Sequence, residues 1–248
     1  MKVGIIGLGL IGGSISLKLK EVNNDITVYG FDKNNQSLDF SLSKQIIDYK
    51  LDLESLLDFD YLFLAIPVES IKSQLASILD KISERTLVID FGSTKYQICN
   101  SVSKHYKRGN FLAAHPIAGT EFSGPIAAKK DLFDNKVMIL CETEKTNSSL
   151  LSLAIEMFKS LGMNIKTMDA IEHDKHIAYV SHLSHISSFM LGKTVMDKED
   201  DDQTIYDMAG SGFESTVRLA KSSPEMWSSI FIENKKNIIE SLDEYMLN

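Results

Sequence analysis

Two histidine-bearing stretches hold the side chains best suited to move a proton. In "AAHPIAGTE" (113–121), the apolar residues Phe111 to Ala114 deliver His115 to the carboxyl end of a strand. Pro116 favours extended backbone before it and fixes its own φ, and Gly119 marks a turn. An imidazole there can act as general base near neutral pH; the alternative is a hydrogen-bonded structural histidine. Ser93 in "GSTK" (92–95) ends a neighbouring strand and can reach the same crevice. The second stretch is "EHDKHIAYVSHLSH" (172–185). His173 and His176, His182 and His185, and Ser181 and His185 are three or four residues apart, so each pair shares a helix face. Neither an HExxH motif nor a Cys/His ligand set accompanies them, so no metal is expected, and the cluster reads as a polar stripe. Arg218, in the apolar run "TVRLA", is either a snorkelling surface residue or a carboxylate clamp.

These residues need a frame. The opening "MKVGIIGLGLIGGSISLKLK" reads as a strand (Val3 to Ile6), a tight turn and an amphipathic helix. Apolar, β-branched runs recur at 25–33, 60–67, 86–95, 110–116, 136–141 and 163–169. Helical spacing separates some of them: Ile71, Leu75, Ile78, Leu79 and Ile82 form one face, and a second helix (149–162) ends at Gly162. This alternation predicts an α/β fold with a parallel, doubly wound Rossmann-type sheet. From Ala170 onward the pattern is all-helical. A long helix (170–196), an acidic connection (197–203), a short helix (214–222) and a final helix (222–246) follow one another. Ser223 as N-cap and Pro224 in the first turn mark the start of the last. The expected domains are a dinucleotide-binding domain at 1–168 and a smaller helical domain at 169–248. The latter is a small core by itself, and Trp227, Phe231 and Ile238 supply apolar surface that predicts a homodimer.

The turn after the first strand is G-x-G-x-x-G, with Leu8 between Gly7 and Gly9 and with Leu10 and Ile11 before Gly12. It follows a strand and opens a helix, as a pyrophosphate-binding turn requires. Asp32 ends the next strand, where a carboxylate accepts hydrogen bonds from a ribose and repels a 2′-phosphate. The expected cofactor is NAD, with Lys33 next door softening the discrimination against NADP. A net charge of −8 argues against nucleic acid or an anionic membrane as partner. Cys99 and Cys141, far apart, imply no disulfide framework, and the apolar N-terminal run is too short for a signal peptide or a membrane span. A cytoplasmic protein acting on a small molecule is expected.

Taken together, "GLGLIGGS", "DFGSTK", "AAHPIAGTEFSGP", "EHDKHIAYVSHLSH" and "AGSGFESTVRLAKSSPEMWSSIFIENK", in that order, resemble the prephenate dehydrogenase family, including its arogenate-using relatives. The resemblance covers nearly the whole chain. It implies NAD-dependent oxidative decarboxylation of prephenate to 4-hydroxyphenylpyruvate in tyrosine biosynthesis. His115 would be the base and Ser93 would hold it or the nicotinamide. Arg218 would clamp a substrate carboxylate, Ser181 and His185 would line the substrate side, and Thr120 and Glu121 would shape the pocket mouth. The chain departs from the family pattern at Ser184, where proline is usual, at the glycine-poorer "AGSGF", and at Ser215, where some relatives have Asp. A second imidazole at His185 favours prephenate over arogenate, with an arogenate or dual-specificity cyclohexadienyl dehydrogenase as the alternative. With the sequence read to Asn248, neither the regulatory nor the mutase domain that some relatives carry is expected. Two rival readings are a β-hydroxyacid dehydrogenase using Lys175 and a non-catalytic NAD sensor; the latter would have no need for His115, Ser93 and Arg218 together.

Overall fold

The computed structural model describes residues 1–199 and 204–248. The chain divides into two compact units, Met1–His173 and Asp174–Asn248. Eight strands lie in the first: β1 (Lys2–Ile6), β2 (Thr27–Phe31), β3 (Tyr49–Lys50), β4 (Tyr61–Leu64), β5 (Leu87–Asp90), β6 (Phe111–Ile117), β7 (Val137–Cys141) and β8 (Asn164–Met168). They form one sheet in the order β3-β2-β1-β4-β5-β6-β7-β8. Its helices are α1 (Leu10–Val22), α2 (Asn35–Ser43), α3 (Val68–Lys81), α4 (Tyr96–Ser101) and α5 (Ser148–Ser160). The central strands are buried along their whole length, β4 and β5 at every position, as expected of parallel strands covered on both faces. The order reverses between β1 and β4, so a crevice opens beyond their carboxyl ends.

The sheet departs from the expected all-parallel pattern at one pairing. β7 runs antiparallel to β6, with Ile117 opposite Val137 and Ala113 opposite Cys141. Gly119, Gly124 and Pro125 break the connecting segment 118–136, so it cannot form the helix that a parallel crossover needs. It returns along the same sheet edge instead and docks on α1, where Lys129 N–H donates to Ser14 Oγ at 2.9 Å. β3 is short and solvent-exposed, so no apolar run announced it. α5 ends as expected: Gly162 is at φ 83°, with Gly162 N–H donating to Lys159 O and Met163 N–H to Phe158 O.

α6 (Ala170–Ile177) crosses the boundary of the units. A π-helical turn (Ala178–His182) leads into α7 (Leu183–Glu199), followed by α8 (Ser211–Val217), α9 (Pro224–Glu233) and α10 (Lys235–Leu247). The long predicted helix thus carries a π segment, which shifts the faces on either side of it. The start of α9 matches the predicted cap, with Ser223 Oγ accepting from Met226 N–H at 3.3 Å and Pro224 at the first helical position. The predicted final helix is, however, broken at Asn234. Its buried amide donates to Asp174 O at 2.7 Å and to His182 Nδ1 at 3.1 Å. Residues 200–203 of the predicted acidic connection lie outside the described residues.

Trp227 and Ile238, expected to supply surface for a partner, are buried within the helical unit itself, and Phe231 is half-buried edge-on to Phe189. A small helical unit uses its largest side chains for its own core first. Ile232 and Ile239 are exposed instead, as are Met190, Leu191 and Met196 on α7.

Candidate active site

The glycine turn is built by close packing. Gly7 sits at φ 95°, and a Cβ there would meet Ala65 O at 2.4 Å. A Cβ on Gly12 would come 1.9 Å from Gly7 O, so only glycine lets α1 start this close to β1. Gly9 is the N-cap of α1 and has no side-chain cap, and space around its Cβ position is open to 4 Å. The first turn of α1 therefore offers N–H groups and the positive end of the helix dipole, which suits a pyrophosphate. Asp32, at the end of β2, is half-buried. Its Oδ2 accepts from Leu8 N–H and its Oδ1 from Asn34 N–H, both at 2.8 Å. These bonds fix the carboxylate beside the turn while each oxygen retains a second lone pair for a ribose hydroxyl. Leu8 contributes by this bond and by its buried side chain, and Leu10 and Ile11 pack partly against the core. The residues present therefore fit a dinucleotide.

His115 is the fifth residue of β6, not its last, because the strand continues through Ile117. Pairing with β5 stops at Ala113, whereas pairing with β7 extends to Ile117. The N–H of Ala114 turns toward the β5 side, so the position two residues on, Pro116, falls where β5 has ended and a missing donor costs nothing. His115 is buried, and its Nδ1 lies 2.9 Å from His173 Nε2, with the two rings edge-to-face. His173, in the first turns of α6, is itself buried. The Asp169 side chain caps that helix, accepting from Ile171 and Glu172 N–H. Sequence spacing missed His173 as a partner of His115, because the two are 58 residues apart.

Ser93 is half-buried in the turn between β5 and α4. Flanking it, Asp90 and Lys95 form an ion pair in which both side chains are fully buried. Lys95 Nζ donates to Ala114 O at 2.7 Å, and Asp90 accepts from Ala114 N–H at 3.3 Å and from Gly92 N–H at 3.1 Å. Burial pushes the Asp90 carboxyl above the usual carboxylate range, and the Lys95 ammonium with these two N–H groups opposes that. Neither residue was singled out from the sequence, although both lie in the quoted "DFGSTK". Thr120 is exposed, with its hydroxyl accepting from Phe122 N–H at 3.3 Å, and Glu121 is half-buried.

In the helical unit, His185 Nδ1 donates to Ser181 O at 2.9 Å, which makes Nε2 the basic nitrogen of that ring. The ring stacks on Trp227 with centroids 3.6 Å apart. Burial holds the His185 pKa below the ordinary imidazole value; the Ser181 carbonyl opposes this, and the charge of Arg218 adds to the lowering. Arg218 is exposed where α8 gives way to a 3-10 turn (Arg218–Lys221). Glu214, four residues before Arg218, lies 3.8 Å from Lys221. Lys175 is exposed and paired with Glu240 at 3.4 Å. Among the described residues, no group of three or more His, Cys, Asp or Glu is placed to hold a metal, and no helix is long and apolar enough to cross a membrane.

Two family models match the chain in succession: the prephenate dehydrogenase nucleotide-binding domain over residues 15–167 and the prephenate dehydrogenase dimerization domain over residues 169–248. The chain belongs to the prephenate dehydrogenase family. Within it, a prephenate dehydrogenase of Bacillus subtilis is 30% identical over 246 residues, which make up 98% of this chain and 66% of that protein, so the chain spans just under two thirds of that relative's length. The crystal structure of Aquifex aeolicus prephenate dehydrogenase in complex with hydroxyphenyl propionate and NAD+ is 31% identical, with a TM-score of 0.89 over 99% of this chain and 87% of that one. Synechocystis arogenate dehydrogenase is 28% identical, with a TM-score of 0.79 over 100% of this chain and 88% of that one. The family is one of dehydrogenases, and its members of both names share this fold. The reading as a non-catalytic sensor finds no support in these matches.

Proposed function

We propose that this protein catalyses the NAD-dependent oxidative decarboxylation of prephenate. The observation that carries the reading is the His115–His173 hydrogen bond in a chain of this family. If His115 Nδ1 carries its proton toward His173, Nε2 is the basic nitrogen. That nitrogen accepts the hydrogen bond of the ring hydroxyl and takes its proton as the carbinol carbon is oxidised. Carbon dioxide then leaves the opposite ring carbon, and the ring becomes aromatic. NAD, when bound, supplies the acceptor for the departing hydride. Gly7, Gly9 and Gly12 would cradle its pyrophosphate and Asp32 its ribose. Ser93 would orient His115 or the nicotinamide, and Arg218 would take a substrate carboxylate. His185 and Ser181 would face the substrate, with Thr120 and Glu121 at the mouth. Prephenate is preferred to arogenate here because relatives of 30–31% identity are prephenate dehydrogenases. The test is absorbance at 340 nm with NAD and either substrate: turnover of prephenate is expected, and exclusive turnover of arogenate would overturn the choice of substrate.

Cofactor preference should follow Asp32. Asp32→Ser removes the charge that opposes a 2′-phosphate and the anchor of Leu8 N–H, so NAD should bind more weakly and NADP better. Equal use of both cofactors by the unmodified protein would count against this role. We also propose a homodimer through the helical unit, built on its exposed apolar residues Ile232, Ile239 and Met190 rather than on Trp227. Light scattering at micromolar concentration should report twice the mass of the chain; a stable monomer would exclude it.

A further inference from the structure

We propose that Asp90 and Lys95 are positioning residues, a buried ion pair that sets the main chain before His115. The inference rests on the reading of His115 as the base. β5 ends at Asp90, paired with Ala113, and its last ladder bond, from Phe91 N–H to Leu64 O at 2.9 Å, is on the β4 side. One residue further along β6, Ala114 is fully buried and has lost the neighbour that would continue the ladder. The ion pair stands in for it. Asp90 takes the N–H of Ala114 and Lys95 gives a hydrogen bond to its carbonyl, while the same carboxylate accepts from Gly92 N–H. The two groups of Ala114 lie in the successive peptides that lead into His115, and the Gly92 N–H lies in the turn that carries Ser93.

A fold that needed only to fill this space would do so with apolar side chains, since burying two charges is costly and a well-packed hydrophobic pair is often as stable. What an apolar pair cannot do is hold the N–H and the carbonyl of Ala114, and with them the two successive peptide planes that lead into His115. Rotation of those planes would carry the imidazole away from His173, and a displacement of about 1 Å at a reacting group is worth roughly 10²-fold in rate.

The test is the double variant Asp90→Leu/Lys95→Met, which avoids leaving one buried charge alone, with Lys95→Arg as the charge-keeping companion should the apolar pair fail to fold. Circular dichroism and a cooperative melt establish folding, and titration with NAD is expected to show little change. kcat should fall roughly 10²-fold. In a His115→Asn background the same substitutions should cost no more than about a further twofold, because their effect passes through His115. A loss that multiplies fully in that background means a general structural role and overturns the proposal, as does an unchanged kcat. Ring-nitrogen NMR provides a readout without turnover. The hydrogen-bonded ring proton between His115 and His173 should be slow to exchange in the unmodified protein and lost in the variant; its persistence in the variant overturns the proposal. If the unmodified chain does not turn over prephenate, the functional reading fails, and the NMR comparison still decides whether the pair positions His115.

Discussion

His115→Asn should lower kcat by roughly 10²–10⁴-fold, the usual worth of a positioned general base. The expectation rests on the ring's setting. β7 pairs with His115 along its backbone, and His173 holds Nδ1 at 2.9 Å. Both rings are buried, so the hydrogen bond is not exchanged for water at every encounter. Asparagine is smaller than histidine and its amide can still bond to His173, which makes a collapsed site an unsuitable explanation for lost activity. It cannot accept a proton at neutral pH. KM for prephenate should change little, because the bond to the hydroxyl strengthens chiefly as the proton departs. Steady-state kinetics on the purified variant, with NAD affinity measured separately, checks this. Loss of NAD binding with an unaltered kcat at saturation would make His115 a cofactor or structural residue.

The parts of the site legible in the sequence are those written by local spacing. The glycine turn, Asp32 and the cap at Ser223 each depend on residues close in sequence, and the structure places all of them as the spacing predicted. What spacing could not show is tertiary. His173 becomes a partner of His115 only in the folded chain, which brings ring nitrogens 58 residues apart in sequence to 2.9 Å. Asp90 and Lys95 look like ordinary polar residues of a turn, and nothing in "DFGSTK" says that both are fully buried or that together they satisfy the N–H and carbonyl of Ala114. Asn234 sits inside a sequence with continuous helical periodicity. The break there coincides with amide bonds to Asp174 and His182, groups 60 and 52 residues away. The antiparallel β7 was readable in principle, since Gly119, Gly124 and Pro125 leave no crossover helix between it and β6. Its apolar run, however, carries no direction.

Arg218→Ala should raise KM for prephenate by roughly 30- to 1,000-fold, or about 2–4 kcal/mol, as expected for loss of a charge-assisted bidentate contact that bound substrate would shield from water. The side chain is exposed, so the fold does not require a buried counter-ion for it, and an anion can reach the guanidinium from solvent. kcat should change less than KM, because the carboxylate is bound in the ground state as in the transition state. Arg218→Lys should recover only part of the loss, since a point charge lacks the planar fork. A second measurement separates this role from a purely structural one. Burial is the main reason the His185 pKa is low, but the Arg218 charge contributes. Removing that charge should let the His185 pKa rise in an NMR titration without substrate, while a protein unfolded by the change would show an ordinary imidazole and no stacking shift from Trp227. If Arg218 served only the surface, its loss should cost at most about 1 kcal/mol of stability and leave KM where it was. An unchanged KM together with a raised His185 pKa would mean that the guanidinium tunes the neighbouring imidazole and that the substrate carboxylate is held by another group.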